Sequence, residues 1–574
     1  MGSELGVTAD SKSELNTSAV SIFWVTFGCI WTAIIVAGAS YLIVNRNTPT
    51  IRIRGLWLSL AAVAFLHLYA WSVQFGLLIG ALMPGDVEFW IMGTYLPCGI
   101  ALFHASNSRF LHVAKLQKKF IHHDGHSRPE APAPAPAKRG LLAKFRRLDY
   151  TAKTVWLVSI AMVVQIFLTI LMYLISRKWH SSWGIPGTEV TGTIMEQKSE
   201  QGRGWEWWPS VAWQFFWSWV FAPYILWQSR NIHDTQGWRT QTIGCAIAML
   251  PATPLWLIGL YVDAMAPVNA VWIPPQWIAV SIFFIEFFTV LLPCWEVMRA
   301  STLRQETLDA IAQWERKNKV APLESKSIAS GSTFIGSIMS GWKSMNGSVK
   351  TNSSSDSILT MSALEHVLER NPIPLLEFSA LREFSGENIA FLISIAQWKN
   401  SIPAAVRDGS GDNNTKDSVR DCFNHALHIY AEFISVRHAE FPVNISHQDL
   451  RKLENIFEKP TRILYGEKRD SDVITPFEGA DYNMEPPSPT YSSGSEKAMN
   501  VSTSTIKERV YYWGEIPADF GASVFDESEE SIKYLVLTNT WPKFIRNHRT
   551  SIGSVETLEA GNGVVEMADL HNEK

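Results

Sequence analysis

Seven stretches of the chain are apolar over the roughly twenty residues that a helix rising about 1.5 Å per residue needs to cross a hydrocarbon layer of about 30 Å. They occupy residues 19–44, 55–83, 89–106, 154–176, 209–228, 242–265 and 273–297. The third is the shortest and contains Pro97, yet it sits among six neighbours of the same kind. Beyond residue 297 the pattern changes. Residues 298–319 lack Gly and Pro and carry Leu308, Ile311 and Trp314 at helical spacing, which predicts a helix leading away from the membrane. Residues 325–357 are Ser/Gly-rich and read as a flexible linker.

Short amphipathic helices are expected after that linker. Residues 376–384 form one unit, which Ser385 closes while capping the next; the apolar face of that next helix would be Ile389, Leu392 or Ile393, and Ala396. Phe423, Leu427, Tyr430 and Ile434 make a stripe on a helix that ends before Pro442. Ser446-His-Gln-Asp449 resembles a capping box ahead of Leu450, Leu453 and Phe457. A last helix opens at Asp526, carries Ile532, Leu535 and Val536, and stops near Pro542. Residues 466–505, polar and rich in Pro and Ser, interrupt the series as an insertion. The expected fold class is all-α: a seven-helix transmembrane bundle followed by a soluble helical bundle. The expected divisions are an outer tail 1–18, the bundle 19–297, a linker 298–357, the soluble domain 358–550 and a tail 551–574.

The placing of Lys and Arg gives the expected orientation, because basic loops stay on the cytoplasmic side. Residues 107–152 hold ten basic residues, residues 45–54 hold Arg46, Arg52 and Arg54, and residues 229–241 hold Arg230 and Arg239. The alternate segments are poorer: Lys12 alone in 1–18, none in 84–87 or 266–272, and four in 177–208. The N-terminus is therefore expected outside and the C-terminus in the cytoplasm, with the plasma membrane as the expected location. No cleavable-signal pattern precedes the first span, which then serves as an uncleaved anchor. Of the glycosylation sequons, Asn16 alone falls outside; those at Asn346, Asn352, Asn413, Asn444 and Asn500 would be cytoplasmic and unmodified.

Net charge of −4 and a mean hydropathy of +0.02 average over these unlike halves and decide little. The five cysteines show no metal-ligand spacing, so neither a disulfide framework nor a zinc site is expected. His122, His123 and His126 form a His-rich patch in a loop where solvation is the simpler reading than metal capture; no metal, cofactor or nucleic-acid partner is expected. Charges inside spans are costly and so are candidates for function. Glu286 lies mid-way along the seventh span, His67 is in the second, and Asp263 is near the outer end of the sixth. Each is read either as hydrogen-bonded within the bundle or as functional. Pro97, Pro223, Pro251, Pro254 and Pro293 are expected kinks. The Trp-rich outer loop, with Trp179, Trp183, Trp205, Trp207 and Trp208, is read as interfacial aromatics, with a small-molecule platform as the sharper alternative.

Three pieces in order carry a resemblance: LEHVLERNPIPLLEFSALREFSGENIAFLISIAQWKN (364–400), HIYAEFISVRHAEFPVNIS (428–446) and FDESEESIKYLVLTNTWPKFIRN (525–547). With their EFSGEN, VNI and FDE…PKF landmarks they resemble the regulator-of-G-protein-signalling (RGS) domain across roughly 360–548. Joined to a seven-span half, this is similar to the receptor-like RGS proteins of fungi and plants. The resemblance implies binding to the GTP-bound alpha subunit of a heterotrimeric G protein (Gα) and faster hydrolysis of its GTP, with membrane lipid and an external small-molecule ligand as the other expected partners. The catalytic residues, including an arginine held in cis, would belong to Gα, so the chain is not itself expected to be an enzyme. Acceleration would come from binding the switch segments best in their transition-state shape.

The implied contact surface is Ser385, Glu387 and Asn388 in one loop, Asn444 in a second, and Leu535, Asn539, Thr540 and Lys543 from the last helix and its end. Asn444 would orient the residues that position the attacking water. Asn539 stands where the family most often has Asp, and Lys543 where it most often has Arg. Charge is lost at the first and a planar two-pronged contact at the second, which implies weakened or retuned activation. Two competing readings make the first half a nucleotide-exchange receptor or a transporter, the tail serving only for docking. Against the receptor, no cysteine in 177–208 can pair with the start of the third span, and neither Asp-Arg-Tyr nor Asn-Pro-x-x-Tyr occurs in place. Against the transporter, neither internal repeats nor inverted helix pairs occur.

Overall fold

The computed structural model describes residues 5–7, 11–121, 150–180, 183–320, 359–403, 413–466 and 511–547. Among them the fold is all-helical and no strand forms; Ser176 and Ile185 make one isolated bridge. The Ala-Pro loop, the His122–His126 patch, the 325–357 linker and nearly all of the 466–505 insertion lie outside the described residues.

Among the described residues five helices are long and apolar enough to cross a membrane: Ala19–Val44, Leu56–Gln74, Ala152–Ile175, Trp238–Tyr261 and Pro274–Asp309. Several expected spans take different shapes. The second ends at Gln74 and gives way to a short turn, Gly76–Ile79. The third is part of one helix, Gly85–Ile121, that runs through Pro97. The fifth is the run Trp208–Phe215, a π turn Phe216–Phe221, then Ala222–Ser229. Pro251 divides the sixth into Trp238–Met249 and Ala252–Tyr261. The seventh passes through a π turn, Phe287–Leu291, straight into Leu292–Val320, so the expected trailing helix is its continuation.

Backbone carbonyls that these prolines free find side-chain donors. Pro97 has no N–H for the Gly93 carbonyl, which accepts from Thr169 Oγ1 at 3.1 Å, and Pro254 has none for the Leu250 carbonyl, which accepts from Trp219 Nε1 at 3.2 Å. A kink inside a span is tolerated when a neighbouring side chain satisfies what it frees. The bundle core is built on Tyr69, Leu96, Trp207, Trp256 and Ile278, all nearly without exposure. Its outer surface is apolar too: Phe23, Ile30, Val163 and Phe167 are more than half exposed. The expected loop 177–208 is ordered about a helix, Ile194–Gln201, with a capping box between Thr193 and Glu196 and an ion pair between Lys178 and the buried Glu206 at 3.1 Å.

The chain divides into two compact units. Of the described residues, the first unit holds those up to 390 and those from 532 on, and the second holds those between 391 and 531. In the second, Phe423, Phe457, Phe520, Phe525 and Trp398 form an aromatic core, with Phe457 and Phe525 stacked at 5.6 Å. Trp398 Nε1 reaches the Cys422 carbonyl at 3.0 Å, so its polar edge is satisfied when the ring is buried. Phe423, Leu427, Tyr430 and Ile434 are all buried, as are Leu453 and Phe457. Ser446 caps the helix His447–Tyr465 by accepting from Asp449 N at 3.1 Å. One expected position differs: Ala396 is exposed, and the helix Gly386–Ser401 buries Ile395 and Trp398 instead.

Candidate functional site

Seven of the eight residues implied for the contact surface belong to the first unit: Ser385, Glu387, Asn388, Leu535, Asn539, Thr540 and Lys543. The loop that holds the first three comes after a π turn, Ser379–Glu383, and is bent by Phe384, a non-glycine residue with φ of +51°. That left-handed geometry is held by packing, because Phe384 is 2% exposed and lies edge-on to Phe110 at 6.0 Å and Trp238 at 6.2 Å. Ser385 occupies the position before the helix Gly386–Ser401 as expected, but its hydroxyl bonds Ser379 Oγ at 3.1 Å. Ser379 Oγ in turn donates to the Ser385 carbonyl at 2.8 Å, and Asn388 N closes a turn onto that carbonyl at 3.2 Å. The loop is therefore tied back to the preceding turn by Ser379, a residue with no mark in the sequence to distinguish it.

The last helix joins this loop. Lys543 forms an ion pair with Glu383, a buried carboxylate, and Phe544 lies edge-on to Phe378 at 5.5 Å. Burial raises the Glu383 carboxyl above the usual range against the pull of Lys543. Thr540 is buried and Asn539 half-buried, both in the π turn Val536–Thr540. Asn444 belongs to the second unit and is exposed, in a segment fixed by Val443 N donating to the Phe433 carbonyl at 2.8 Å.

Residues at the ends of the N-terminal helices also meet the loop. Gln117, fully buried near the end of Gly85–Ile121, donates from Nε2 to Glu387 Oε2 at 2.9 Å. The Gly386 N–H donates to Gln117 Oε1, also at 2.9 Å. Gln236 Nε2 donates to the Glu383 carbonyl at 2.7 Å, and Thr235 N to the Arg382 carbonyl at 3.0 Å. Arg54 holds the 234–241 segment in place through Gln241 Oε1 at 3.0 Å and the Gln236 carbonyl. Burial pushes the Glu387 carboxyl up to about 7, opposed by the Gln117 amide and by Arg52.

Of the three polar candidates within spans, two come together. Glu286, with no exposure, bonds His67 Nδ1 through Oε1 at 2.8 Å and accepts from Trp31 Nε1 through Oε2. His67 Nε2 lies 3.0 Å from Thr32 Oγ1, whose own proton goes to the Gly28 carbonyl at 2.8 Å. Asp263 is exposed at a 3-10 turn and joins neither. Trp31 and Thr32 are not legible as partners in the sequence, since each is ordinary within an apolar run. Among the described residues no cluster of His, Cys, Asp and Glu is placed to hold a metal ion. Comparison of the chain with protein-family models, with curated proteins and with solved structures finds no match.

Proposed function

We propose that this chain is a membrane-anchored regulator that binds the GTP-bound Gα subunit and accelerates its GTP hydrolysis, damping G protein signalling. In this reading the helices Gly85–Ile121 and 208–229 would join the five apolar ones as further crossings, and the distribution of basic residues would put the C-terminus in the cytoplasm. The order of the three RGS-like pieces supports the reading, and one geometric observation carries it furthest. Glu383 and Lys543, 160 positions apart, are paired, so the loop of Ser385, Glu387 and Asn388 and the end of the last helix lie together and, once uncovered, would make one polar surface. Such a surface would grip switch segments by hydrogen bonds and charge, with Asn444 orienting the residues that position water. No proton transfer by this chain is needed, because the gain comes from holding Gα in its reactive shape.

The test is single-turnover hydrolysis by GTP-loaded Gα subunits with the full chain in lipid nanodiscs. Acceleration is expected, with Asn444→Ala reducing it by about 10²-fold, the scale of losing precise positioning. Because Asn444 is exposed, that variant should unfold at the parent temperature. Equal rates with and without the chain, for every Gα tried, would overturn the reading.

A further inference from the structure

The Phe384–Asn388 loop is held by the ends of the N-terminal helices through specific contacts. Gln117 makes a two-way clasp, its amide N–H to Glu387 and its carbonyl oxygen to the Gly386 N–H, both at 2.9 Å. The clasp needs glycine there: a Cβ on Gly386 would come within 3.0 Å of Gln117 Oε1 and 2.8 Å of the Ala380 Cβ. Phe384 is wedged between Phe110 and Trp238, and Thr235 and Gln236 bond the backbone of Arg382 and Glu383. We propose that this is an autoinhibitory contact, in which the cytoplasmic mouth of the membrane bundle and an activated Gα compete for the same loop. The inference rests on the Gα-binding reading above and deepens it by naming how the surface is regulated.

Two observations show the contact to be poised to open. Three buried acceptors at or beside it, Gln236 Oε1, Glu383 Oε1 and Asn388 Oδ1, lack a hydrogen-bond partner among the described residues. A buried acceptor left unsatisfied costs stability, and a competing partner that supplies donors would recover that cost. The contact is also interrupted: beside Lys543 lies a cleft of about 520 Å³ lined by Gln236, Glu296, Arg299 and Arg546 among others. A polar, discontinuous interface between parts of one chain is of the kind that moves. Any ligand or lipid change that shifts the end of Gly85–Ile121 or the 235–238 segment would change the fraction of loops that are free, and with it the apparent affinity for Gα.

The experiment uses the full chain in nanodiscs at pH 8, above the raised Glu387 value of about 7, comparing the parent, the double variant Gln117→Ala/Gln236→Ala, and Gln117→Glu, which removes the amide donor to Glu387 and sets like charge against it without creating a cavity. Hydrogen exchange is read at the amides of 383–388 and, as a folding control, at 427–434. Both variants are expected to exchange at least about tenfold faster in the loop with no change in the control, as local opening without global unfolding requires. Both are also expected to accelerate Gα hydrolysis several-fold more than the parent. Unchanged exchange in the loop of folded variants overturns the contact. Faster exchange with the same hydrolysis rate as an active parent overturns the autoinhibition. Faster exchange with no acceleration by any of the three chains overturns the Gα reading itself while leaving the clasp standing, so the two failures are distinguishable.

Discussion

At the scale of single residues, hydrogen-bond stoichiometry constrains Glu286 more tightly than its burial alone. Thr32 has one proton and donates it to the Gly28 carbonyl, so His67 Nε2 must carry a proton and donate to Thr32. Only one further proton then lies between His67 Nδ1 and Glu286 Oε1, and the pair shares it. A glutamine can reproduce this, donating to Nδ1 while accepting from Trp31. Glu286→Gln is therefore expected to stay within about 1 kcal/mol of the parent. Glu286→Ala, which strands both partners, should cost about 3–5 kcal/mol. Thermal unfolding in detergent micelles reads both, and equal midpoints for Glu286→Ala and the parent would refute the assignment.

Glu387 makes a different prediction because its charge is held off by burial. Its pKa of about 7 in the folded chain lies above the ordinary carboxylate value of 4.5, so the native state binds the proton more tightly than the unfolded one. A group of this kind contributes its full stability at pH below about 4.5 and loses it progressively as the pH rises to about 7. Glu387→Gln is neutral throughout and still accepts from Gln117. Its unfolding midpoint should match the parent near pH 5 and lie above it at pH 8. A midpoint difference that is the same at both pH values would show that Glu387 does not titrate in this window.

Among the helices, the features legible in the sequence are those set by periodicity and caps. The helix cap at Ser446 and the stripe from Phe423 to Ile434 depend on local spacing, and the structure has both. Ser446→Ala should cost about 1 kcal/mol and Ser446→Asp much less, read by chemical denaturation; a neutral Ser446→Ala would mean that the cap is satisfied by other means. A full capping box, Thr193 with Glu196, has a similar local signature, although the polar, Gly-containing 177–208 segment around it reads as a loop. Ala396 departs from the expected face because the buried side of its helix rotates toward Ile395 and Trp398.

The π turns Ser379–Glu383, Tyr430–Ile434 and Val536–Thr540 are not legible in the sequence. A π turn inserts one residue into helical spacing without any composition of its own, and such turns gather at functional sites. Here each of the three RGS-like pieces contains one. Gln117 is hidden for a related reason: a polar residue near the basic end of a long helix reads as solvated until its partner, 270 positions away, is in place.

For the whole molecule, the exposed faces decide the environment. Leu157, Val163 and Phe167 on the helix Tyr150–Ile175 and Ile22, Phe23 and Ile30 on Ala19–Val44 are each more than half exposed. Soluble monomers rarely leave contiguous apolar surface of this extent open, and transferring it from water to lipid is worth roughly 25 cal/mol per Å². These helices therefore need a hydrocarbon surround, in keeping with their length and composition. The direction of insertion rests on the basic residues alone, and it decides whether the loop at 383–388 can meet a G protein at all. With a protease cleavage site placed after Lys574, cutting is expected in inside-out vesicles and not in right-side-out ones, and alkaline carbonate should leave the chain in the membrane pellet. Cutting only in right-side-out vesicles would put the loop, its Gln117 clasp and Lys543 on the side of the membrane where no activated Gα exists.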